Sequence, residues 1–330
     1  MKILVTGGAG YVGSHAVRAL CDAGHSIVVL DSLVSGHARA VDSRAKLVRG
    51  DIGDEGATAA LLERERFDAA MHFAAFIEVG ESVRDPLKFY DNNVGNTVRL
   101  LRQMQQHGPK RLVFSSTCAI FGAPERMPID EECRRDPESP YARTKLAIEW
   151  ALADASAAWG LGFVALRYFN AAGAAEDATI GEDHDPETHL IPNVLKVALG
   201  QRDSVSVFGT DYDTPDGTCI RDYVHVDDLA RAHVAAIESL ESAQQRYYNT
   251  GTGRGATVFE VIAAARNVTG HPIPVRECPR RAGDVPRLYA DPRKVQRELG
   301  WQPKYTDLND IVASAWKWHH SHPRGFEDRR

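Results

Sequence analysis

Tyr141 and Lys145 stand four apart in the run Tyr141-Ala142-Arg143-Thr144-Lys145. On a helix that spacing puts both side chains on one face. A phenol with an ordinary pKa of ~10 is a poor base at neutral pH. A neighbouring ammonium favours the phenolate, and so does a cationic ring bound alongside, so both draw the phenol towards the working range. Upstream, an apolar run ends in Ser115-Ser116-Thr117, and the Thr117 hydroxyl can orient a substrate hydroxyl beside the same phenol. Alcohol oxidation needs such a base for the O–H proton and a hydride acceptor on the other side. Taken alone, the pair also reads as a core-edge tyrosine and a solvated lysine, so the case rests on finding an acceptor site.

The N-terminus supplies one. Its first apolar run ends in Thr6-Gly7-Gly8-Ala9-Gly10-Tyr11-Val12-Gly13 and opens directly into a helical pattern. Glycines there let the backbone turn sharply and approach a pyrophosphate, while the free N–H groups of the helix start attract its charge. The spacing is Gly7-x-x-Gly10-x-x-Gly13 rather than the usual G-x-G-x-x-G, and tight helix–strand packing is the alternative reading. A second strand ends at Asp31. A carboxylate at that point accepts hydrogen bonds from ribose hydroxyls and repels a 2′-phosphate, which favours NAD over NADP. Asp51-Ile52, after the third strand, is placed to flank the adenine.

These residues need a scaffold, and the sequence pattern describes it. Apolar runs at Lys2–Thr6, Ser26–Leu30, Lys46–Arg49, Ala69–Phe73, Arg111–Ser115 and Phe163–Arg167 alternate with helical patterns at Val12–Ala23, Glu55–Arg66, Pro86–His107 and Tyr141–Trp159. That rhythm predicts a buried, doubly wound parallel sheet of the Rossmann type, with ligands at the carboxyl ends of its strands. After Arg167 the rhythm breaks, and Ala171–Pro192 is rich in Gly, Pro, Asp and His. Alternation returns at Ile220–Glu238 and Arg246–Asn249, and three more helices follow at Val258–Val268, Asp291–Leu299 and Asp307–His319. The expected plan is a Rossmann domain over 1–169, rejoined by 220–250, with a smaller loop-rich α/β lobe from 170–219 and 251–330.

Bulk properties narrow the classes. The chain has 330 residues, 43% hydrophobic and 25% charged, which suits a globular protein with a cleft. A net charge of −6 with dispersed basic residues argues against nucleic acid as a partner. No apolar stretch reaches the ~20 residues of a membrane span. The start Met1-Lys2-Ile3 shows no signal-peptide pattern, and the 5 cysteines show no C-x-x-C spacing, so a cytoplasmic location is expected. His184, His189 and Asp183 fit no strong metal template, and no metal is expected.

Further segments carry a resemblance over nearly the whole chain. They include Val79-Gly80-Glu81-Ser82-Val83, Tyr90-Asp91-Asn92-Asn93-Val94 and Leu166-Arg167-Tyr168-Phe169-Asn170. Later come Gly181-Glu182-Asp183, Val207 to Tyr212, Asp216-Gly217-Thr218, Arg221 to Val226 and Arg280-Arg281-Ala282-Gly283-Asp284. In number, order and spacing they resemble the UDP-glucose 4-epimerase (UDP-galactose 4-epimerase) family of extended short-chain dehydrogenases/reductases. The resemblance implies that Tyr141 takes the proton from the sugar 4-OH while NAD takes the C4 hydride. The 4-keto sugar then turns over and both are returned to its other face. It implies a cofactor site of Gly7, Gly10, Tyr11, Val12, Gly13, Asp31, Ser32, Leu33, Asp51, Ile52, Phe73, Ala74, Asn93, Ser115, Tyr141, Lys145 and Tyr168. For the UDP-sugar it implies Thr117, Tyr141, Asn170, His189, Leu190, Phe208, Arg221, Arg281, Asp284 and Leu288. It also implies galactose metabolism and a homodimer packed through Pro86–His107 and Tyr141–Trp159.

Departures from the family pattern bear on substrate. Ala142 follows the tyrosine where Gly is usual, and Ile77 replaces a common Lys that touches the cofactor. Leu288 stands where many glucose/galactose members have a Tyr bounding the sugar, which leaves N-acetylhexosamines and the xylose/arabinose pair open as substrates; Tyr289 is placed to fill part of that gap. Arg221 has an alternative as a surface ion pair with Asp222. The rival reactions are a dehydratase, disfavoured because Cys118 and Ala119 follow Thr117 where an acid pair is needed, and a net dehydrogenase. A non-catalytic NAD-binding protein is the rival from a different class.

Overall fold

The computed structural model describes residues 1–281 and 283–328; Ala282, within the Arg280–Asp284 segment, lies outside the described residues, as do Arg329 and Arg330. The strands, in chain order, are β1 (Lys2–Thr6), β2 (Ser26–Asp31), β3 (Lys46–Arg49), β4 (Ala69–His72), β5 (Arg111–Thr117), β6 (Gly162–Tyr168) and β7 (Asn170–Ala172). They continue as β8 (Val205–Phe208), β9 (Ile220–His225), β10 (Gln245–Thr250), β11 (Gly255–Thr257), β12 (Val275–Cys278) and β13 (Arg287–Leu288).

Seven strands form one sheet in the order β10-β6-β5-β4-β1-β2-β3, and every pair in it is parallel. The order reverses at β1, so the crevice between the ends of β1 and β4 is the topological switch point where ligands bind in such folds. Successive residues feed opposite faces. Ile3 and Val5 join one core with Val17, Leu20 and Leu229, while Leu4 joins another with Leu61, Leu100 and Leu152. Both faces are therefore covered by helices, which is why these strands read as continuous apolar runs.

The observed elements match the expected ones to within a residue or two, and the mismatches are informative. β5 runs on through Ser116 and Thr117, and β2 through Asp31, because polar strand ends pair as well as apolar ones. The segment read as one helix over Pro86–His107 contains a π-helical turn, Tyr90–Gly95, between the helices Pro86–Phe89 and Asn96–His107. Asn93, in that turn, is fully buried.

The remaining strands build a second layer of small sheets. β9 pairs β7, β11 and β13, and β8 pairs β12. Helices Leu190–Ala198, Val258–Thr269 and Leu308–Ser321 share a third core around Val194, Ile262 and Val312. β9 follows this lobe, whereas the helix Val226–Ser239 and β10 pack with the large sheet. No helix among the described residues is long and apolar enough to cross a membrane.

The helix Pro140–Trp159 is fastened to the large sheet by a buried charge. Glu149 and Arg167 are each 1% exposed and meet in a two-point ion pair, Nε–Oε1 3.0 Å and Nη2–Oε2 2.7 Å. The Ser116 hydroxyl donates to the same carboxylate at 2.6 Å. Removing one partner of such a pair strands the other charge in the core. Glu149→Ala should therefore destabilise the protein by about 3–5 kcal/mol, read as a lowered urea midpoint with an unchanged slope.

Candidate active site

One cleft of about 1250 Å³ runs along the carboxyl edge of the large sheet and under the second lobe. That exceeds the roughly 300–1,000 Å³ of a single small-ligand pocket, as two neighbouring ligands would require. Its wall includes Gly7, Gly10, Tyr11, Val12, Gly13, Asp31, Ser32, Asp51, Ile52, Phe73 and Ala74 at one end. Ser115, Thr117, Tyr141, Lys145 and Tyr168 lie on the same wall, and Asn170, His189, Leu190, Phe208, Arg221, Arg281, Asp284 and Leu288 line the rest. Two expected residues, Leu33 and Asn93, are not on it. Leu33 turns away with φ 59° and donates its N–H to Asp31 Oδ1 at 2.8 Å. Asn93 sits behind the wall, where its amide accepts from Phe76 N (2.8 Å) and donates to Phe76 O (3.0 Å). It positions a wall segment rather than bordering the cavity.

The glycine loop fits a dinucleotide. Gly7 adopts φ +73°, and a Cβ there would lie 2.4 Å from Ala74 N; at Gly13 it would lie 2.2 Å from Gly7 O. Those two glycines are demanded by the fold itself. Gly10 is different: it has an ordinary φ of −80°, and its nearest neighbour to a Cβ is Gly7 O at 3.5 Å. Nothing in the protein requires glycine there, but the bare backbone faces the cleft where a pyrophosphate would lie. The helix Tyr11–Asp22 starts at this point with no side-chain cap and no acidic residue in its first turn, leaving its N–H groups for an anion. Asp31 accepts Ala9 N at 2.9 Å and Leu33 N at 2.8 Å, one on each carboxylate oxygen. Each oxygen keeps a lone pair for a ribose hydroxyl.

Lys145 and Tyr141 ride on the first turns of the helix Pro140–Trp159, which Ser139 caps by accepting Ala142 N at 3.2 Å. The Lys145 ammonium is 2% exposed and donates to the Ser115 carbonyl at 2.8 Å. Its Nζ lies 6.0 Å from the centre of the Tyr141 ring, with no direct bond to the phenol. Burial, with no carboxylate against it, pulls the Lys145 pKa down to about 7. Burial also raises the Tyr141 phenol well above its ordinary range; Tyr168 adds to this, and the Thr117 hydroxyl works against it. Tyr168 is itself tethered, its hydroxyl 2.5 Å from Ser115 Oγ.

At the other end, Arg221 and Asp222 are neighbours on β9 but face opposite ways. Asp222 is fully buried and accepts Thr252 N (2.9 Å), Gly253 N (3.0 Å) and Ala290 N (3.1 Å). The Arg221–Asp222 surface pair is therefore not formed. Arg221 instead donates to Val285 O at 2.8 Å and stands 3.7 Å from Asp284. Arg281 forks onto Asp284 (3.1 and 3.0 Å) and lies over the Phe208 ring at 5.6 Å. Leu288 borders the cavity, but Tyr289 is absent from its wall, so it does not fill the space beside Leu288.

The spacing of His184 and His189 fits no strong metal template. The structure joins them to Glu182 and Glu187 in one cluster whose ligand atoms lie within 4.8 Å of one another. His189 Nδ1 is 2.8 Å from Glu182 and 3.2 Å from Glu187. Burial opposes charge on His184, but the two carboxylates outweigh it and raise its pKa to about 9. The alternation of acids and histidines over 182–189 was the available signal; only the fold of the loop closes them into a group.

A parallel sheet whose glycine loop and Tyr–Lys pair meet at the strand ends defines the class: an extended short-chain dehydrogenase/reductase. The chain belongs to the NAD dependent epimerase/dehydratase family, whose model matches residues 3–251. It is 49% identical over 330 residues, 100% of each chain, to a UDP-glucose 4-epimerase of Lactobacillus helveticus. The structure of UDP-glucose 4-epimerase from Bifidobacterium longum in complex with NAD+ and UDP superposes with a TM-score of 0.95 at 40% identity, covering 99% of this chain and 100% of that one. That from Stenotrophomonas maltophila with bound NAD and formylated UDP-arabinopyranose gives 0.94 at 41%, covering 98% and 99%.

The Lys145 shift has a measurable consequence without cofactor. With a folded pKa of about 7 against ~10.4 unfolded, the unfolded chain binds the extra proton between those values, so stability rises with pH across that window. Below about pH 7 both states carry the charge and its burial cost is fully felt. Relative to Lys145→Met, the cofactor-free protein should gain up to about 1.4 kcal/mol per pH unit between pH 7 and 10, measured from urea midpoints of both proteins.

Proposed function

We propose that this chain is an NAD-dependent 4-epimerase that interconverts UDP-glucose and UDP-galactose. The observation that carries the reading is the single cleft in which Thr117, Tyr141 and Lys145 stand between the glycine loop and the two arginines Arg221 and Arg281. The large sheet and its helices, 1–169 with 226–250, are the cofactor side; 170–225, which include β9, and 251–330 are the UDP-sugar side. NAD bound along the glycine loop supplies hydride acceptance and return at C4. Tyr141 Oη takes the proton from the sugar O4 and gives it back to the same oxygen after the ketone has turned. Burial holds the phenol protonated until a cationic ring lies beside it, so the base forms only where it is needed. Thr117 orients O4, and Lys145 holds the nicotinamide ribose. Arg221 and Arg281 grip the diphosphate as forks, pre-set by Asp284, and Phe208 offers the uracil a face.

Dehydration is disfavoured on local chemistry. Burial pushes the Cys118 thiol to about 12, and Ala119 carries no acid, so neither can remove water beside Thr117. At Leu288 the sugar pocket is bounded by a smaller side chain than tyrosine, which favours a range extending to N-acetylated sugars.

The enzyme should convert UDP-galactose to UDP-glucose, and UDP-N-acetylgalactosamine to its C4 epimer, with no net NADH. Tyr141→Phe should lower kcat by roughly 10²–10⁴ with its fold and NAD content kept. Accumulating NADH or a released keto sugar would replace this reading with a dehydrogenase or dehydratase, and unchanged turnover in the Phe variant would remove Tyr141 from the chemistry. Loss of the N-acetylated substrate alone in Leu288→Tyr would tie the range to that position.

A homodimer is proposed through the helical segment Pro86–His107 and the helix Pro140–Trp159. Leu87 (76% exposed), Trp150 (61%), Tyr90 and Val98 (38% each) leave an apolar face there that a second copy would cover. Leu87→Glu with Trp150→Glu should halve the mass seen by light scattering; a wild-type monomer at micromolar concentration would refute the interface.

A further inference from the structure

The end of the chain is folded against the loop that follows β2, nearly the whole sequence away. Phe326 is 6% exposed, and its ring lies on His37 (centroids 4.8 Å) and on Trp318 (4.7 Å). Its N–H donates to Asp183 Oδ2 at 3.0 Å, and its carbonyl accepts from Arg39 at 2.9 Å. Asp328 accepts Arg39 N at 3.1 Å and pairs with His37 Nδ1 at 2.5 Å. The other nitrogen of His37 lies 3.3 Å from Asp183 Oδ2. Gly325, at φ +65°, runs so close to Asp183 that a Cβ would come within 2.0 Å of its carboxylate.

The loop so held is the outer wall of the dinucleotide end of the cleft. Ser32, Val34, Ser35 and Gly36 line the cavity. His37 N donates to Ala9 O at 2.9 Å, and a Cβ on Gly36 would stand 2.9 Å from Ala9 Cβ, so the loop presses directly on the glycine turn. Asp183 lies off the cavity wall, but its chain neighbours Glu182 and His184 line it, and Trp318 donates its indole N–H to Glu182 O at 3.1 Å. His37 and residues 325–328 therefore join the loop after β2 to Asp183, in the segment whose Glu182 and His184 line the cavity.

We propose that residues 323–328 are a latch that retains the dinucleotide, with His37, Asp183 and Asp328 as its positioning residues. The proposal rests on the cofactor reading above. A dinucleotide lying inside Ser32–Gly36 leaves when that loop lifts, and lifting it breaks the Asp328 and Phe326 contacts to His37 and Arg39 together. The Asp328 carboxylate accepts charge-assisted bonds here, part-buried at His37 and exposed at Arg39 N, and their loss accelerates opening rather than chemistry. The latch suits the proposed reaction, which returns the cofactor to its starting state each cycle and gains nothing from releasing it.

The test uses the purified protein with NAD bound, chased into an NAD-hydrolysing trap. A chain ending at Pro323 should release NAD at least tenfold faster than the full chain, and Asp328→Asn several-fold faster, with Asp328→Glu restoring most of the retention. At saturating NAD, kcat for UDP-galactose should stay within twofold in every variant, a split that a merely structural role would not give. Unchanged release in Asp328→Asn and in the shortened chain overturns the latch. So does a fall in kcat at saturating NAD that tracks the melting temperature. If the shortened chain does not fold, release and kcat of the Asp328 variants decide. A full chain that takes up no NAD overturns the cofactor reading and the latch together, whereas tight NAD with tail-independent release overturns the latch alone.

Discussion

Glu149 and Arg167 face each other beneath the carboxyl ends of β5 and β6 with almost no access to water. Such a pair adds little net stability, because desolvating both ions consumes most of their attraction. What it fixes is position. The carboxylate comes from the middle of the helix Pro140–Trp159, the guanidinium from β6 and the Ser116 hydroxyl from β5, so helix and strands have one register in which all three bonds close. Arg167 is further sandwiched between Phe121 at 5.5 Å and Tyr247 at 4.7 Å, which carries the same restraint to β10. One helical turn above Glu149, Lys145 reaches the Ser115 carbonyl, and Tyr141 follows a turn higher. The proposed base is thereby placed by a contact two turns away from it.

The dinucleotide corner solves a different problem, bringing bare backbone close to a charged ligand without collapsing. Gly7 and Gly13 let the strand, the turn and the helix start touch each other, and Gly10 leaves the space in front of them open. Asp31 then does two jobs with one carboxylate. It ties the turn to the end of β2 through Ala9 N, and it keeps acceptor capacity facing the cleft. Burial raises its pKa, and the two backbone N–H groups offset only part of that rise.

On the lobe side, β9 separates structure from chemistry by strand alternation. Asp222 faces inward and gathers backbone N–H groups from Thr252, Gly253 and Ala290, which locks three segments together. Arg221 faces the cleft, held by the Val285 carbonyl near Asp284. The Arg221 guanidinium is thus ordered before any diphosphate arrives, and less conformational entropy is lost on binding.

Periodicity in the sequence determined the parallel sheet, because strands buried on both faces must be apolar throughout and their crossover helices amphipathic. The glycine turn and the Tyr141–Lys145 pair were legible for a local reason, since spacing along one element fixes which atoms share a face, while Asp31 and Thr117 were legible as polar ends of apolar strands. Tertiary structure alone decided the rest. The π turn that draws Asn93 behind the wall, the opposite facing of Arg221 and Asp222, and the closure of Glu182, His184, Glu187 and His189 into one cluster depend on which segments pack together. So does the union of Phe326 and Asp328 with His37 and Asp183. Contacts between residues hundreds apart leave no periodic trace in a single chain; they exist only once burial has forced each polar group to find its partner.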